Sequence, residues 1–329
     1  MRQNQVPVNL FTVAPGVWGR KDVFVNFYMI QDLNNDDWVL VDAGLKWSVA
    51  KIKEMATYLF GEESRPKAVI LTHGHFDHTG SVAQLADEWD ISVYAHYLEI
   101  PYLTGQSNYP PADPTVGGGL MASLSFLYPN TPINIWKHIK VLPANGKIPV
   151  LPEWRYLHTP GHAPGHISLF RESDGVLIAG DAFVTTNQES AISVMLQTKI
   201  ISGPPKYFTY DWQAAKSSVE QLMKLHPKTA ATGHGQPMRG KELKKALGKL
   251  EQEFDEKAIP AEGRYVPQPA ITNANGVVYI PPAKFDKNQL AIKAFTVTTM
   301  IVLGLIWKTF KKKQRIRFHE NLLEVEYNY

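Results

Sequence analysis

Residues 67–80 read KAVILTHGHFDHTG. KAVILT (67–72) is an apolar run of strand length, and it passes directly into four potential metal ligands: His73, His75, Asp77 and His78. His73 and His75 stand two apart, so on an extended or turning backbone their side chains converge from one rim of a sheet. Asp77 and His78 fall where a helix would begin and point back over the same cavity. Four donors this close cannot all serve one tetrahedral zinc without strain, but two metals can share them.

Three further donors end strand-like runs elsewhere. His162 closes HTPGH (158–162) after WRYLH (154–158). Asp181 closes AGD (179–181) after VLI, and His234 sits in TGHG (232–235) after TAA. Each has a glycine beside it, which lets the backbone turn sharply and the ligand swing inward. The stretch TPGHAPGH offers two candidates. His162 is preferred because it follows the strand directly, whereas His166 enters the next strand and packs or supports. Asp42 in VDAG is a candidate for orienting a ligand, as are His158 and His96. His138, His226 and His319 are read as structural.

The surrounding pattern is strands, helix, strands, helix, and then the same again. Strand signals fall at 23–30, 38–44, 67–72 and 91–95, with helical spacing at 48–60 and 81–89. They return at 154–158, 167–170, 175–181 and 228–235, with helices at about 211–225 and 239–257. Two face-to-face β-sheets with helices outside satisfy this order. Residues 100–136, dense in proline, glycine and aromatics, break the rhythm and read as an insertion overhanging the site. From 258 the chain becomes proline-rich. The expected organisation is a domain over 1–257, a linker or arm over 258–290, and an apolar segment with a basic tail over 291–329.

Composition narrows the chemistry. Hydrophobic residues make up 44% and charged residues 20%, as in an ordinary soluble domain. There is no cysteine, so any metal is held by imidazole and carboxylate. That set suits zinc, iron, nickel or manganese rather than copper(I) or an iron–sulfur cluster. The net charge of +3 resides in the last 22 residues, which carry six basic and three acidic side chains. The remaining body is neutral, which gives no reason to expect nucleic acid. Residues 294–307 (AFTVTTMIVLGLIW) carry no charge and precede KKKQRIR. Membrane contact through 290–317 is therefore expected, on a chain read as cytoplasmic because its N-terminus shows no secretory signal.

The ordered blocks H-x-H-x-D-H, G-H, G-D and G-H-G resemble the metallo-β-lactamase-fold hydrolases over roughly residues 8–240. Within them the chain looks most similar to the glyoxalase II-like and N-acyl-homoserine-lactonase-like branches. The resemblance implies an α/β (α+β) αββα four-layer sandwich with a C-terminal extension. It implies two zinc ions per chain, iron or manganese being possible. His73, His75 and His162 would hold one ion, and Asp77, His78 and His234 the other, with Asp181 bridging. A metal-bridging hydroxide would then cleave an ester, thioester or lactone bond of a small molecule. With two divalent ions, two carboxylates and a hydroxide, the site keeps about +1, the right sign for an anionic intermediate. Asp77 would pass a proton to the leaving group, and the hydroxyl of Tyr207 or Tyr210 would bind the carbonyl or stabilise the oxyanion. Hydrolysis of a phosphodiester or a β-lactam on the same site, or a non-catalytic metal-binding module, are the alternatives. Substrate choice is expected to rest on 100–136 and on the loop 203–212.

Overall fold

The computed structural model describes residues 6–283. A first sheet runs in sequence order through β1 (Leu10–Ala14), β2 (Val17–Asp22), β3 (Val25–Gln31), β4 (Trp38–Val41), β5 (Ala68–Ile70), β6 (Ser92–Ala95) and β7 (Ile139–Val141). Its first half is an antiparallel meander, and from β4 onward the strands are parallel. A second sheet comprises β8 (Trp154–His158), β9 (Ile167–Arg171), β10 (Val176–Ile178), β11 (Thr229–Ala231) and β12 (Met238–Arg239). Its strands also neighbour one another in chain order, and β10 and β11 are its one parallel pair among the described residues.

The layering follows from strand alternation. Successive side chains point to opposite faces, so a strand covered on both sides must be apolar throughout. On β3, Tyr28 and Ile30 face the second sheet, where Leu169, Ile178 and Ala231 meet them. Phe27 and Met29 face the other way, onto Ile52, Met55 and Leu85 of the helices Val49–Phe60 and Val82–Trp89. On β10 the same division places Ile178 between the sheets and Leu177 against Val219, Leu222, Leu243 and Leu247. Those four belong to the helices Trp212–Met223 and Gly240–Gln252. The result is the expected αββα sandwich.

Local signals set the helix ends. Gly61 at φ 95° stops the first helix and donates its N–H to the Thr57 carbonyl. Asp211 starts the Trp212–Met223 helix by accepting the Ala214 N–H at 2.9 Å. The expected helix over 239–257 is broken between Gln252 and Phe254. The run 38–44 leaves the sheet after Val41, where Asp42 adopts φ 59°.

The insertion 100–136 contains three short helical turns, and its aromatic residues join Tyr207, Phe208, Tyr210 and Tyr265 in a fourth apolar cluster. Beyond 258 the proline-rich chain lies along this cluster as far as residue 283. Tyr265 donates its hydroxyl to the Pro111 carbonyl at 2.6 Å, and Ala270 N–H reaches the Tyr210 carbonyl at 3.1 Å. A hairpin, Ile271–Asn273 with Gly276–Tyr279, seats Val277 N–H on the Ser107 hydroxyl at 3.1 Å. The described residues up to Pro282 form one compact unit. The apolar segment and basic tail of 291–329 lie outside the described residues. Among the described residues no helix is long and apolar enough to cross a membrane.

Gly161 shows how tightly the second helical layer is docked. It has φ 127°, and a Cβ there would stand 2.3 Å from the Ala215 backbone nitrogen. Its carbonyl also accepts the N–H groups of Tyr210 and Asp211. Gly161→Ala is expected to lower unfolding free energy by at least about 2 kcal/mol, from backbone strain plus overpacking. A urea midpoint equal to that of the wild type would show that the helix yields instead.

Candidate metal centre

The candidate ligands all leave the same edge of the sandwich. His73 follows β5 by three residues, and His75 precedes the helical turn Phe76–Thr79, which carries Asp77 and His78. These four come from the first sheet. His162, Asp181 and His234 follow β8, β10 and β11 of the second. Hydrogen bonds fasten the two sheets together here. Asn26 of β3 donates to the carbonyls of Thr232 (2.9 Å) and Gly235 (2.7 Å), and the Tyr28 hydroxyl reaches the Thr232 carbonyl at 2.6 Å. Ile167 N–H meets the Thr72 carbonyl at 2.9 Å.

All seven side chains come together, and no residue of the set is more than 6% exposed. His162 Nε2 lies 3.0 Å from His75 Nδ1 and 3.2 Å from His73 Nε2. His234 Nε2 lies 3.6 Å from an Asp77 oxygen. Asp181 Oδ2 stands between the sets, 3.1 Å from His234, 3.4 Å from His162 and 3.7 Å from His78. The donors form three groups that could hold a metal: His73/His75/His162, His73/His78/Asp181 and Asp77/His78/His234.

The electrostatics favour a cation. Burial, then neighbouring imidazoles, hold His73 and His75 well below the ordinary range, and burial pushes His162 down to about 3. Three uncharged rings therefore bring ring nitrogens within 3.0–3.2 Å of one another, an arrangement in which their lone pairs can converge on a cation. Burial alone would raise the Asp181 carboxyl, but His234 and His78 hold it well below the carboxylate range. His78 is drawn the other way: burial opposes its charge, yet Asp42, Asp181 and Asp77 carry it well above the imidazole range. Among the described residues, Asp42, Asp77 and Asp181 have only histidines as ion-pair partners. His78 Nε2 and Asp181 Oδ1 are buried with no partner at hydrogen-bond distance. Donor atoms 3.0–3.7 Å apart suit an ion with ligand distances of about 2.0–2.2 Å. The residues present fit divalent metal.

In four of the five ligand histidines the outer ring nitrogen has a partner, which sets the ring's orientation, whereas His162 Nδ1 has none at hydrogen-bond distance among the described residues. His73 Nδ1 meets the Thr72 hydroxyl at 3.0 Å, and His78 Nδ1 meets Asp42 at 2.8 Å. His234 Nδ1 donates to the Phe24 carbonyl at 2.7 Å, and His75 Nε2 meets the Tyr210 hydroxyl at 3.1 Å. Asp42 also accepts the N–H and hydroxyl of Thr72, both at 2.8 Å, so one carboxylate aligns His78 and the approach to His73. His166 takes a different place from His162. Its Nε2 accepts the Asp181 N–H at 2.8 Å, and its Nδ1 donates to the Thr159 carbonyl.

Tyr210 reaches the cluster through His75, whereas Tyr207 packs against Tyr128 and Phe208. Phe208 stacks on His75 with ring centroids 4.6 Å apart. His96 and His158 stack on each other at 4.1 Å, and His158 Nε2 donates to the Pro164 carbonyl. Their expected role in orienting a ligand is not what the geometry shows: neither ring contacts the seven donors among the described residues. The sequence reading passed over Thr72, Phe24, Tyr109 and Glu99. The Tyr109 hydroxyl accepts the Gly74 N–H at 2.9 Å, between His73 and His75.

Two outcomes follow from these contacts. Asp42→Ala should weaken metal binding by about 10- to 100-fold in chelator competition, because His78 loses its orientation. Unchanged affinity would remove that role. His96 is held at about 4 by burial and by His158. Its contribution to stability is therefore full above the unfolded value of about 6.5 and is lost as pH falls from there toward 4. The melting temperature of the wild type should fall more steeply across that window than that of His96→Gln.

A family model described as the metallo-beta-lactamase superfamily matches residues 20–234. The probable metallo-hydrolase YflN of Bacillus subtilis is 45% identical over 241 residues, covering 73% of this chain and 91% of that protein. Among solved structures, a beta-lactamase domain protein from Burkholderia ambifaria gives a TM-score of 0.52 at 21% identity, over 77% of this chain and 78% of its own. BJP-1, a subclass B3 metallo-beta-lactamase of Bradyrhizobium japonicum, gives 0.51 at 18%, over 78% and 96%. These two share the fold. With seven donors gathered at one edge of an αββα sandwich, and with the matched segment spanning six of the seven fully and ending on the last, His234, the chain belongs to the metallo-β-lactamase superfamily.

Proposed function

We propose that the protein is a dinuclear metal-dependent hydrolase that cleaves an ester, thioester or lactone bond in a small molecule. One observation carries the reading. The Asp181 carboxylate stands between a trihistidine set and an Asp77/His78/His234 set, in a buried cluster with no lysine or arginine partner among the described residues. His73, His75 and His162 would hold one ion, Asp77, His78 and His234 the other, and Asp181 would serve both. Imidazole and carboxylate donors suit zinc, with iron or manganese also compatible. Bound there, the ions would supply a nucleophilic water ionised near neutral pH and a Lewis acid for the carbonyl. The relation to YflN, named a probable metallo-hydrolase, supports hydrolysis.

The chain's own residues do the rest. Asp77 is the most exposed of the seven, at 6%, and burial raises its carboxyl. As the most exposed of the donors, it would pass a proton to the leaving group. With His75 Nδ1 turned inward, its Nε2 carries the proton and donates to the Tyr210 oxygen. The Tyr210 O–H is then free to donate to a substrate carbonyl or oxyanion. Tyr207 lacks such a contact, so of the two tyrosines we assign this role to Tyr210. The wall beside the cluster is aromatic, with Phe76, Tyr128 and Phe208 in mutual contact. Such a wall favours an uncharged acyl or lactone group over a polyanionic phosphodiester. That preference supports a glyoxalase II-like or lactonase-like specificity over a nuclease.

Elemental analysis and a panel of lactones, thioesters, phosphodiesters and β-lactams test this reading. We expect close to two metal ions per chain and turnover of an acyl substrate. His75→Ala and Asp181→Ala should each lower turnover by about 100-fold or more. Less than one ion per chain, with no activity restored by added metal, would overturn it. Turnover confined to phosphodiesters would overturn the substrate class alone. Tyr210→Phe should lower kcat by about 10- to 100-fold while leaving metal content unchanged.

A further inference from the structure

We propose that Glu99 is a positioning residue that locks the two loops carrying the trihistidine set at a fixed spacing. The proposal rests on the metal-centre reading above. Glu99 ends the helical turn Tyr97–Glu99, just before the insertion, and its side chain is fully buried. One carboxylate oxygen, Oε2, accepts the Gly74 N–H at 2.8 Å and the Tyr109 hydroxyl. The other, Oε1, accepts the Gly165 N–H at 2.6 Å. Gly74 lies between His73 and His75. Gly165 lies between His162 and His166, and His166 in turn accepts the Asp181 N–H. A single side chain thus joins the loop of His73 and His75 to the loop of His162.

The residue type is informative. No cation pairs with Glu99 among the described residues, and a buried carboxylate without one is costly unless several donors satisfy it. Packing alone would be served by leucine. Glutamine offers one accepting atom, whereas the two loops need an acceptor each. The glycines answer to the same requirement. A Cβ on Gly74 would stand 2.7 Å from the Tyr109 oxygen, and one on Gly165 would stand 2.8 Å from Glu99 Cγ. Both positions are bare so that backbone N–H groups can close on the carboxylate. Tyr109 adds a second brace, since its ring lies over His75 with centroids 4.5 Å apart and stacks on Tyr102 at 4.0 Å.

The consequence is local to half of the centre. Glu99 touches the segments of His73, His75 and His162 but none of the segments of His78 and His234. Its loss should weaken one metal position and spare the other.

The test uses full-length wild type, Glu99→Gln, Glu99→Leu and Tyr109→Phe. Zinc affinities are measured by chelator competition, absorption spectra with cobalt(II) in place of zinc, and melting temperatures without metal. We expect Glu99→Gln to weaken one of two sites by about 10- to 100-fold. Its cobalt(II) spectrum should change for that site alone, and kcat should fall with KM little altered. Tyr109→Phe should weaken the same site by a smaller factor, and it covers the case in which Glu99 variants fail to fold. Two unchanged affinities and an unchanged cobalt(II) spectrum in Glu99→Gln and Tyr109→Phe would overturn the proposal and leave the metal centre intact. Equal weakening of both sites would also overturn it. A wild type that binds no metal would overturn the centre itself, and this proposal with it.

Discussion

Seven buried imidazole and carboxylate side chains face one another across a few ångströms with no lysine or arginine among their ion-pair partners in the described residues. That cluster governs the upper edge of this molecule. His162 approaches both His75 and His73 within 3.2 Å, and burial keeps all three rings from taking up a charge. The surrounding carboxylates have histidines but no lysine or arginine among their described partners. Strand ends, glycine-bounded turns and the helical turn Phe76–Thr79 are arranged to hold this set in place.

Holding it takes a shell of partners as specific as the donors. Asp42 sits at a left-handed backbone position, φ 59°, and divides its oxygens between Thr72 and His78. His166 gives its ring to the backbone of Asp181. The aromatic cluster built from the insertion, the Tyr207–Tyr210 stretch and the arm beyond 258 packs over the trihistidine side. These groups lie apart from the three larger apolar clusters. Their effect is to remove rotational freedom from side chains whose geometry determines affinity.

The layered fold was legible because strands buried on both faces need apolar runs and outer helices need one apolar stripe. The candidate donors stood out because so few residue types ligate metal, and five of the seven (His73, His75, His162, Asp181 and His234) stand beside a glycine. What escaped depended on distance along the chain. Glu99 meets N–H groups 25 and 66 residues away, and a backbone donor leaves no mark in sequence. Tyr207 and Tyr210 are three residues apart, and only the packing of that stretch decides which one reaches His75. His96 and His158 looked like supporting groups because histidines near a ligand motif invite that reading, but their mutual stacking turns them away from it. The proline content after 258 announced extended backbone, yet said nothing of Ser107, Pro111 and Tyr210, to which that backbone is bonded.

The hydrogen bonds from Asn26 and Tyr28 to the turn that bears His234 join one sheet to the other at the donor cluster. Four donors come from the first sheet and three from the second, so an ion held there is a rivet through both halves of the sandwich. Neither half can open alone without pulling its share of the ligands from the shared ion. Loading the centre therefore raises the barrier to partial opening as well as the equilibrium stability. Occupancy of the centre would then set how long the folded chain survives a protease as directly as it sets turnover.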